Sequence, residues 1–462
     1  MGRFGKLLLF ALIFVFAAGM MAGCGQQASP DGGQKSTPDV TEKQAEAKEQ
    51  TAPETVELTL LDDCLENLNE AEFKAFNQEI KEFMKEHPEV NIIRDSASAD
   101  VVRQKIPTLA AANELPDMFT GMASIVPNFV NAGIIMSVEE LFSDRMDYLD
   151  GFIPGMLDDY LYKGSHYGIP QRSMPVYVMY FNMGLLKESG IEKAPETFEE
   201  LLAAIKATKA KGLIPLVLGD KGKWPSRLLF SGLGVRTAGG DYLEKIKAGE
   251  LKFTDPSVLK ALQYIEEISK AGAFNKDFTS IDHVQARALF YDKKAAMYGE
   301  CLFFSQVEDD EWPEDIKNNY EEMFIPQLPG EDLSNGVTVP VAADIGLVFS
   351  SKLKNDPGEL KAAQAFAMEV MGADYNKKIA EFGSFPVMKV TGADLSNVPE
   401  AIKRYNDKLA PKLLTGCHTD GRLPDAVLEA ITVNLQNLII GSQTAEQSAE
   451  KIQAVMEKSM SK

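Results

Sequence analysis

The side chains of this chain most capable of chemistry are its carboxylates, and they fall in no catalytic arrangement. With 68 Asp and Glu residues in 462, neighbouring acids such as Asp62 and Asp63 arise in any fold, so an acid and base pair for glycoside cleavage does not follow from their presence. His87, His166, His283 and His418 are scattered and offer no adjacent ligand pair. Surface or polar packing is their expected role, and neither a metal site nor a cofactor is expected. No Gly-x-Ser-x-Gly elbow, His-Glu-x-x-His helix, phosphate loop, dinucleotide fingerprint or calcium loop is present, so no motif requires an enzyme. Cys64, Cys301 and Cys417 match neither a zinc knuckle nor a disulfide scaffold; buried free thiols are expected, with one disulfide as the alternative.

Binding chemistry is better represented. Tyr160, Tyr162, Tyr167, Tyr177, Tyr180 and Phe181 crowd a stretch interrupted by Gly164, Gly168 and Pro170. Aromatic rings offer flat apolar area to a ligand, and nearby polar groups can orient it. Phe181 is expected in the core, whereas Gln171 to Tyr177 suit either a core strand or a cleft. The chain has two tryptophans: Trp224, in Gly222-Lys223-Trp224-Pro225, is read as either ligand-facing or buried, and Trp312 as the more buried of the two.

The elements that must position these groups alternate. Val56 to Leu61 reads as a strand, and Asn69 with Glu72 as a capping box for a helix carrying Phe73, Phe76, Ile80 and Phe83. Val90 to Ile93 follows as a strand, completing a βαβ unit. Val101 to Asn113 is a helix despite Pro107, and Asp117 to Thr120 a short strand. Thr197 and Glu200 cap a helix with Phe198, Leu201, Leu202 and Ile205 inward, and Leu213 to Leu218 is the next strand. Asp255-Pro256 starts a helix that Gly272 ends, and Pro357 starts another. A further helix breaks at Gly441-Ser442, and Thr444 with Gln447 caps the last. Val337 to Phe349 holds two β-rich runs flanking Asp344, where the chain is expected to pass between two domains. The class is α/β, and the length predicts two or three domains.

Formal charge is -21 and the isoelectric point about 4.8, which leaves no basic surface for a phosphate backbone and excludes nucleic acid as a partner. Residues 1–23 have the order of an export signal: basic Arg3 and Lys6, an apolar run from Leu7 to Met21, then small residues. Residues 24–53 lack large apolar side chains and are expected to form a disordered tether. Met21-Ala22-Gly23-Cys24 resembles a bacterial lipoprotein processing box, which makes Cys24 the lipid-bearing first mature residue. An ordinary secretory signal with a chance cysteine is the alternative.

From Val56 onward the chain resembles the extracellular solute-binding proteins of carbohydrate ABC importers, solute-binding family 1. The pattern runs in order through Leu109 to Phe119, Tyr167-Gly168-Ile169-Pro170, Tyr180-Phe181-Asn182, Gly190-Ile191, Pro195 to Glu200, Ala295-Ala296-Met297-Tyr298, Gly383 to Val387 and Leu438 to Gly441. That resemblance implies a periplasmic-binding-protein-like fold, two α/β lobes with an interdomain ligand cleft. It groups residues 54–170 and 293–340 as the first lobe and 171–292 and 341–462 as the second. Its implied function is reversible capture of an extracytoplasmic carbohydrate, an oligosaccharide by expectation, for delivery to transmembrane permease subunits. The implied state is a monomer anchored to the cell membrane through an N-terminal palmitate-type lipid. The chain departs from the family where Phe198 replaces a common Trp, and where Cys301-Leu302-Phe303 replaces a Gly-x-Trp ending. Phe303 and Trp224 are therefore the candidate stacking groups, with Asp62, Asp63, Asp117, Tyr177, Asn182 and Asp344 as candidates for orienting hydroxyls or supporting the cleft. A surface glycan-active enzyme and a nonsugar binding protein are the alternatives.

Overall fold

The computed structural model describes residues 55–68, 70–306 and 311–460. The local signals that need no distant partner appear where the sequence puts them. Thr197 and Glu200 form a reciprocal capping box on helix Phe198–Ala210, Pro256 opens helix Pro256–Ala271, and Gly272 closes it at φ 84°, a left-handed conformation that suits glycine. Thr444 and Gln447 likewise exchange backbone and side-chain bonds. Helix Ala99–Ala112 accommodates Pro107. Asn69, one half of the first expected capping box, lies outside the described residues; helix Ala71–Glu86 begins after Glu70 with no side-chain cap, and Glu72 is turned inward against Arg172 at 2.8 Å. A buried guanidinium is a stronger partner for that carboxylate than a free backbone N–H.

Two main sheets carry the architecture. The first has the order Val90–Ser96, Val56–Asp62, Met118–Met122, Ile345–Phe349, Ile169–Pro170; the first three strands are parallel and Ile345–Phe349 runs against them. Its core joins Leu58, Leu60, Phe76 and Phe83 to Leu347, Phe349, Phe366 and Ile379. The second sheet has the order Tyr320–Met323, Val178–Asn182, Ala295–Glu300, Ile214–Val217. Its core joins Phe181, Phe198 and Met297 to Ile265, Leu435 and Ile452. A smaller sheet sets Val337–Ala342 between Leu413–Gly416 and Met174–Pro175.

The expected grouping of residues into lobes is corrected here. Residues 293–340 do not join the first sheet: Ala295–Glu300 pairs with Val178–Asn182 and Ile214–Val217. Conversely, Ile345–Phe349 and helices Pro357–Val370 and Ala373–Glu381 complete the first body. The chain passes between the bodies at Gln171–Ser173 and at Ala343–Asp344, the latter at the position the sequence suggested, and again beyond Phe385. These passages lie side by side: the Ser173 N–H donates to the Phe385 carbonyl, and the Gln171 N–H to that of Ile345. Cys64, Cys301 and Cys417 are buried free thiols.

Candidate functional site

The parallel strands Val56–Asp62 and Met118–Met122 end on the same side, and their C-terminal ends open onto a cavity of about 240 Å³, the usual ligand position in α/β sheets. Asp63, Arg103 and Thr120 line it from the first body, and Asp425 lines it from the second. Asp425 begins helix Asp425–Ile440, whose Leu428, Ile431 and Leu435 belong to the second core. Burial pushes the Asp63 carboxyl up, opposed by the nearby Arg172 guanidinium. Burial also raises Asp425, which shares a hydrogen bond with Ser124. The cavity therefore offers one buried carboxyl, Asp63, where a hydrogen bond to a ligand counts for most, beside a part-exposed Arg103 guanidinium and an exposed Asp425.

The second body carries an aromatic cluster. Trp224 precedes Pro225 at the start of helix Pro225–Ala238, His283 opens helix His283–Tyr291, and Phe303 opens helix Phe303–Gln306. The Trp224 ring lies 5.0 Å from His283 and 6.5 Å from Phe303. All three are half-buried, so each keeps a face in reach of solvent. Burial, reinforced by the Arg287 cation, pushes the His283 imidazole down to about 4, and Asp100 and Arg103 of the first body also act on it. His283 is thus in electrostatic reach of helix Ala99–Ala112.

A third group is fully enclosed. Asp344, His418 and Asp420 converge where the chain passes between the bodies, and Arg227 grips Asp420 with two bonds of 2.7 and 2.5 Å. Nearby, Glu300 ends its strand in the interior, accepting from the Tyr298 hydroxyl at 2.6 Å and the Cys301 N–H at 2.9 Å. Burial pushes Glu300 from 4.5 up to about 6, against the pull of Tyr298 and Arg287. A carboxyl raised in the fold favours folding below its ordinary value, and that advantage is lost as pH rises through about 6. Glu300→Gln keeps an acceptor and removes the buried charge. It is expected to stabilise the protein by up to about 2 kcal/mol at pH 8 and by almost nothing at pH 4.5, read from urea unfolding at the two pH values. Equal effects at both would show that Glu300 is not the titrating group.

The sequence model of the bacterial extracellular solute-binding proteins matches residues 67–376. The chain belongs to that family. Among curated proteins it is similar to an uncharacterized ABC transporter extracellular-binding protein of Pyrococcus horikoshii, 26% identical over 49% of this chain and 52% of that one. It is also similar to the multiple sugar-binding protein of Streptococcus mutans, 23% identical over 67% of this chain and 70% of that one. The chain spans about half the length of the Pyrococcus relatives it matches. Among solved structures, a chitin oligosaccharide binding protein superposes with a TM-score of 0.76 at 24% identity, covering 88% of this chain and 100% of that one. A structure from work on xylan utilization by Caldanaerobius polysaccharolyticus gives 0.72 at 26% identity, covering 86% and 99%. The architecture is the periplasmic-binding-protein-like fold of this solute-binding family, with the bodies on the two main sheets as its α/β lobes. The family is one of binding proteins rather than catalysts.

Within this solute-binding fold the structure divides the sequence-derived candidates. Asp63 stands at the cavity, Trp224 and Phe303 in the aromatic cluster, and Asp344 at the passage between lobes. Four others are engaged by partners within the protein. Asp62 is bound by Arg94 at 2.6 Å, the Cys64 N–H and Ser96. Asp117 accepts from the Thr59 N–H and hydroxyl and pairs with Lys352. Asn182 caps helix Met183–Glu188 by accepting from the Leu185 N–H. Tyr177 is buried with its hydroxyl against Gly299, at φ 67°. Cys24 lies outside the described residues. Sequence reasoning missed Arg103, His283, His418 and Asp425. The dense polar run Cys417-His418-Thr419-Asp420-Gly421-Arg422 between apolar stretches was the signal for one of them; nothing local marks the others.

Proposed function

We propose that this chain captures an extracytoplasmic oligosaccharide between its two lobes and presents it, unchanged, to the transmembrane permease subunits of an ABC importer. The observation that carries this reading is a polar cavity lined from both lobes, together with the half-buried Trp224, His283 and Phe303 cluster, whose His283 is in electrostatic reach of the cavity residue Arg103. Aromatic faces suit the apolar faces of sugar rings, while carboxyl and guanidinium groups suit their hydroxyls. The likeness to a chitin oligosaccharide binding protein and to a multiple sugar-binding protein supports the same class. The passages at Gln171–Ser173 and Ala343–Asp344 are the hinge, and the protein acts as a monomer. Isothermal titration with chito-, xylo- and malto-oligosaccharides is expected to find one that binds one to one. Small-angle scattering should then show a smaller radius of gyration with the sugar, and chromatography should recover it intact. Product formation would favour a glycan-active enzyme instead, and a more than tenfold affinity loss between about 0.05 and 0.5 M salt would indicate a charged solute.

Anchoring is part of the same reading: Cys24 carries the lipid, and residues after it tether the lobes to the membrane. Mass spectrometry of the protein from its native host should find Cys24 diacylated and Cys24→Ala released from the membrane. An unmodified Cys24 would reject the anchor.

A further inference from the structure

The hydrogen bonds around His418 leave one of its ring nitrogens with a lone pair and no proton donor. The Thr419 hydroxyl donates to Asp420 at 3.0 Å, so in its contact with Ser231, also at 3.0 Å, it must accept. The Ser231 proton is thereby spent on Thr419, and Ser231 also receives the Thr419 N–H at 3.3 Å. At 3.1 Å from His418 Nδ1, Ser231 can then only accept. The imidazole carries its proton on Nδ1, and Nε2 is left as a bare acceptor, 3.7 Å from Asp420 Oδ1 and too far for a hydrogen bond.

Asp344 supplies a second, independent observation. The residue is 6% exposed, and among the described residues its carboxylate takes no hydrogen bond or ion pair from another residue. Asp420 is held by Arg227, and nearby Asp159 by Arg422, so Asp344 is the acid of this group with no ion pair, Arg103 and Arg172 acting on it only from a distance. One ligand atom from each of Asp344, His418 and Asp420 lies within 4.8 Å of the others.

We propose that Asp344, His418 and Asp420 form a binding site for a divalent transition metal ion of the zinc class. One imidazole nitrogen with two carboxylate oxygens is a recognised zinc donor set with a fourth position open, whereas magnesium and calcium favour oxygen alone. Ser231 fixes the imidazole tautomer and Arg227 fixes the Asp420 carboxylate, the outer support that ligands of such ions usually have. The ion would join the Ala343–Asp344 passage to the loop after strand Leu413–Gly416. This goes beyond sugar capture and stands without it.

The test is calorimetric titration of zinc chloride into the whole, chelator-treated exported chain with no sugar present, so that its outcome is separate from that of the sugar titrations. Surface pairs such as His166 with Glu139, and His87 with Glu369, could also take zinc, so the variants decide. His418→Gln and Asp344→Asn are each expected to weaken the tightest zinc event by at least about tenfold, with calcium and magnesium giving no comparable event. Asp344→Asn removes a buried charge that has no ion pair and is opposed by Asp420, so it should melt no lower than wild type without metal; this keeps loss of binding distinct from loss of fold. Absence of zinc uptake by wild type, or equal uptake by both variants, would overturn the site.

Discussion

Replacing Arg227 by Ala is expected to cost about 3–5 kcal/mol of stability, the range for stripping one partner from a buried ion pair. Each face of its guanidinium is engaged. Nε and Nη2 donate to Asp420, while Nη1 donates to the Lys223 carbonyl and to the Thr432 hydroxyl at 2.8 and 2.7 Å. The pair holds the Asp420 carboxyl well below its ordinary range, although burial alone pushes the other way. Removing the cation leaves Asp420 charged in the interior beside Asp344, whose own carboxyl burial and Asp420 already push up to about 6. A depressed carboxyl stabilises the fold above its unfolded value and loses that contribution as pH falls, so the gap between wild type and variant should narrow below about pH 3.8. Urea unfolding followed by circular dichroism measures the cost. A double variant, Arg227→Met with Asp420→Leu, should recover much of it, because two apolar groups leave no uncompensated charge. A single-variant loss under about 1 kcal/mol would mean that water reaches Asp420 and the pair is not buried as described.

What could be read from the sequence was what is decided locally. The Thr197 and Glu200 box, the Pro256 start and the Gly272 stop each involve residues a few positions apart, and each is in place. Strand partnership is a long-range choice, which is why Ala295–Glu300 was assigned to the wrong lobe: its composition fits either sheet, and only pairing with Val178–Asn182 decides. The same limit governs the site. Asp62 and Asp63 look alike in sequence, but successive side chains at a strand end point to opposite sides. One meets Arg94 on the neighbouring strand and the other meets the cavity. Nor does the position of Asp117 after Pro116 reveal that its partners are Thr59 and Lys352, far away in the chain. Trp224 and Phe303 were paired in advance because the family pattern puts aromatics at those positions. His283, which completes their cluster, had no such mark.

That cluster carries the second large expectation. Trp224→Ala should weaken binding of the sugar identified by titration by roughly 10- to 150-fold, the equivalent of removing about 1.5–3 kcal/mol of buried aromatic face. Phe303→Ala should act in the same direction with a smaller effect, since its ring is already engaged by the Arg287 guanidinium at 5.5 Å. The rings of Trp224 and Phe303 are 6.5 Å apart, close enough that the double variant should lose less than the sum of the two singles. Trp224→Phe keeps a stacking face and should restore most of the affinity, which separates lost contact with the ligand from a disturbed helix start at Pro225. Because both residues are only half-buried, neither alanine should stop the protein folding, and melting curves recorded without sugar check this. If both alanine variants bind as wild type does, the cluster does not touch ligand. The polar cavity beside Asp63, Arg103 and Asp425 would then have to hold the solute without it.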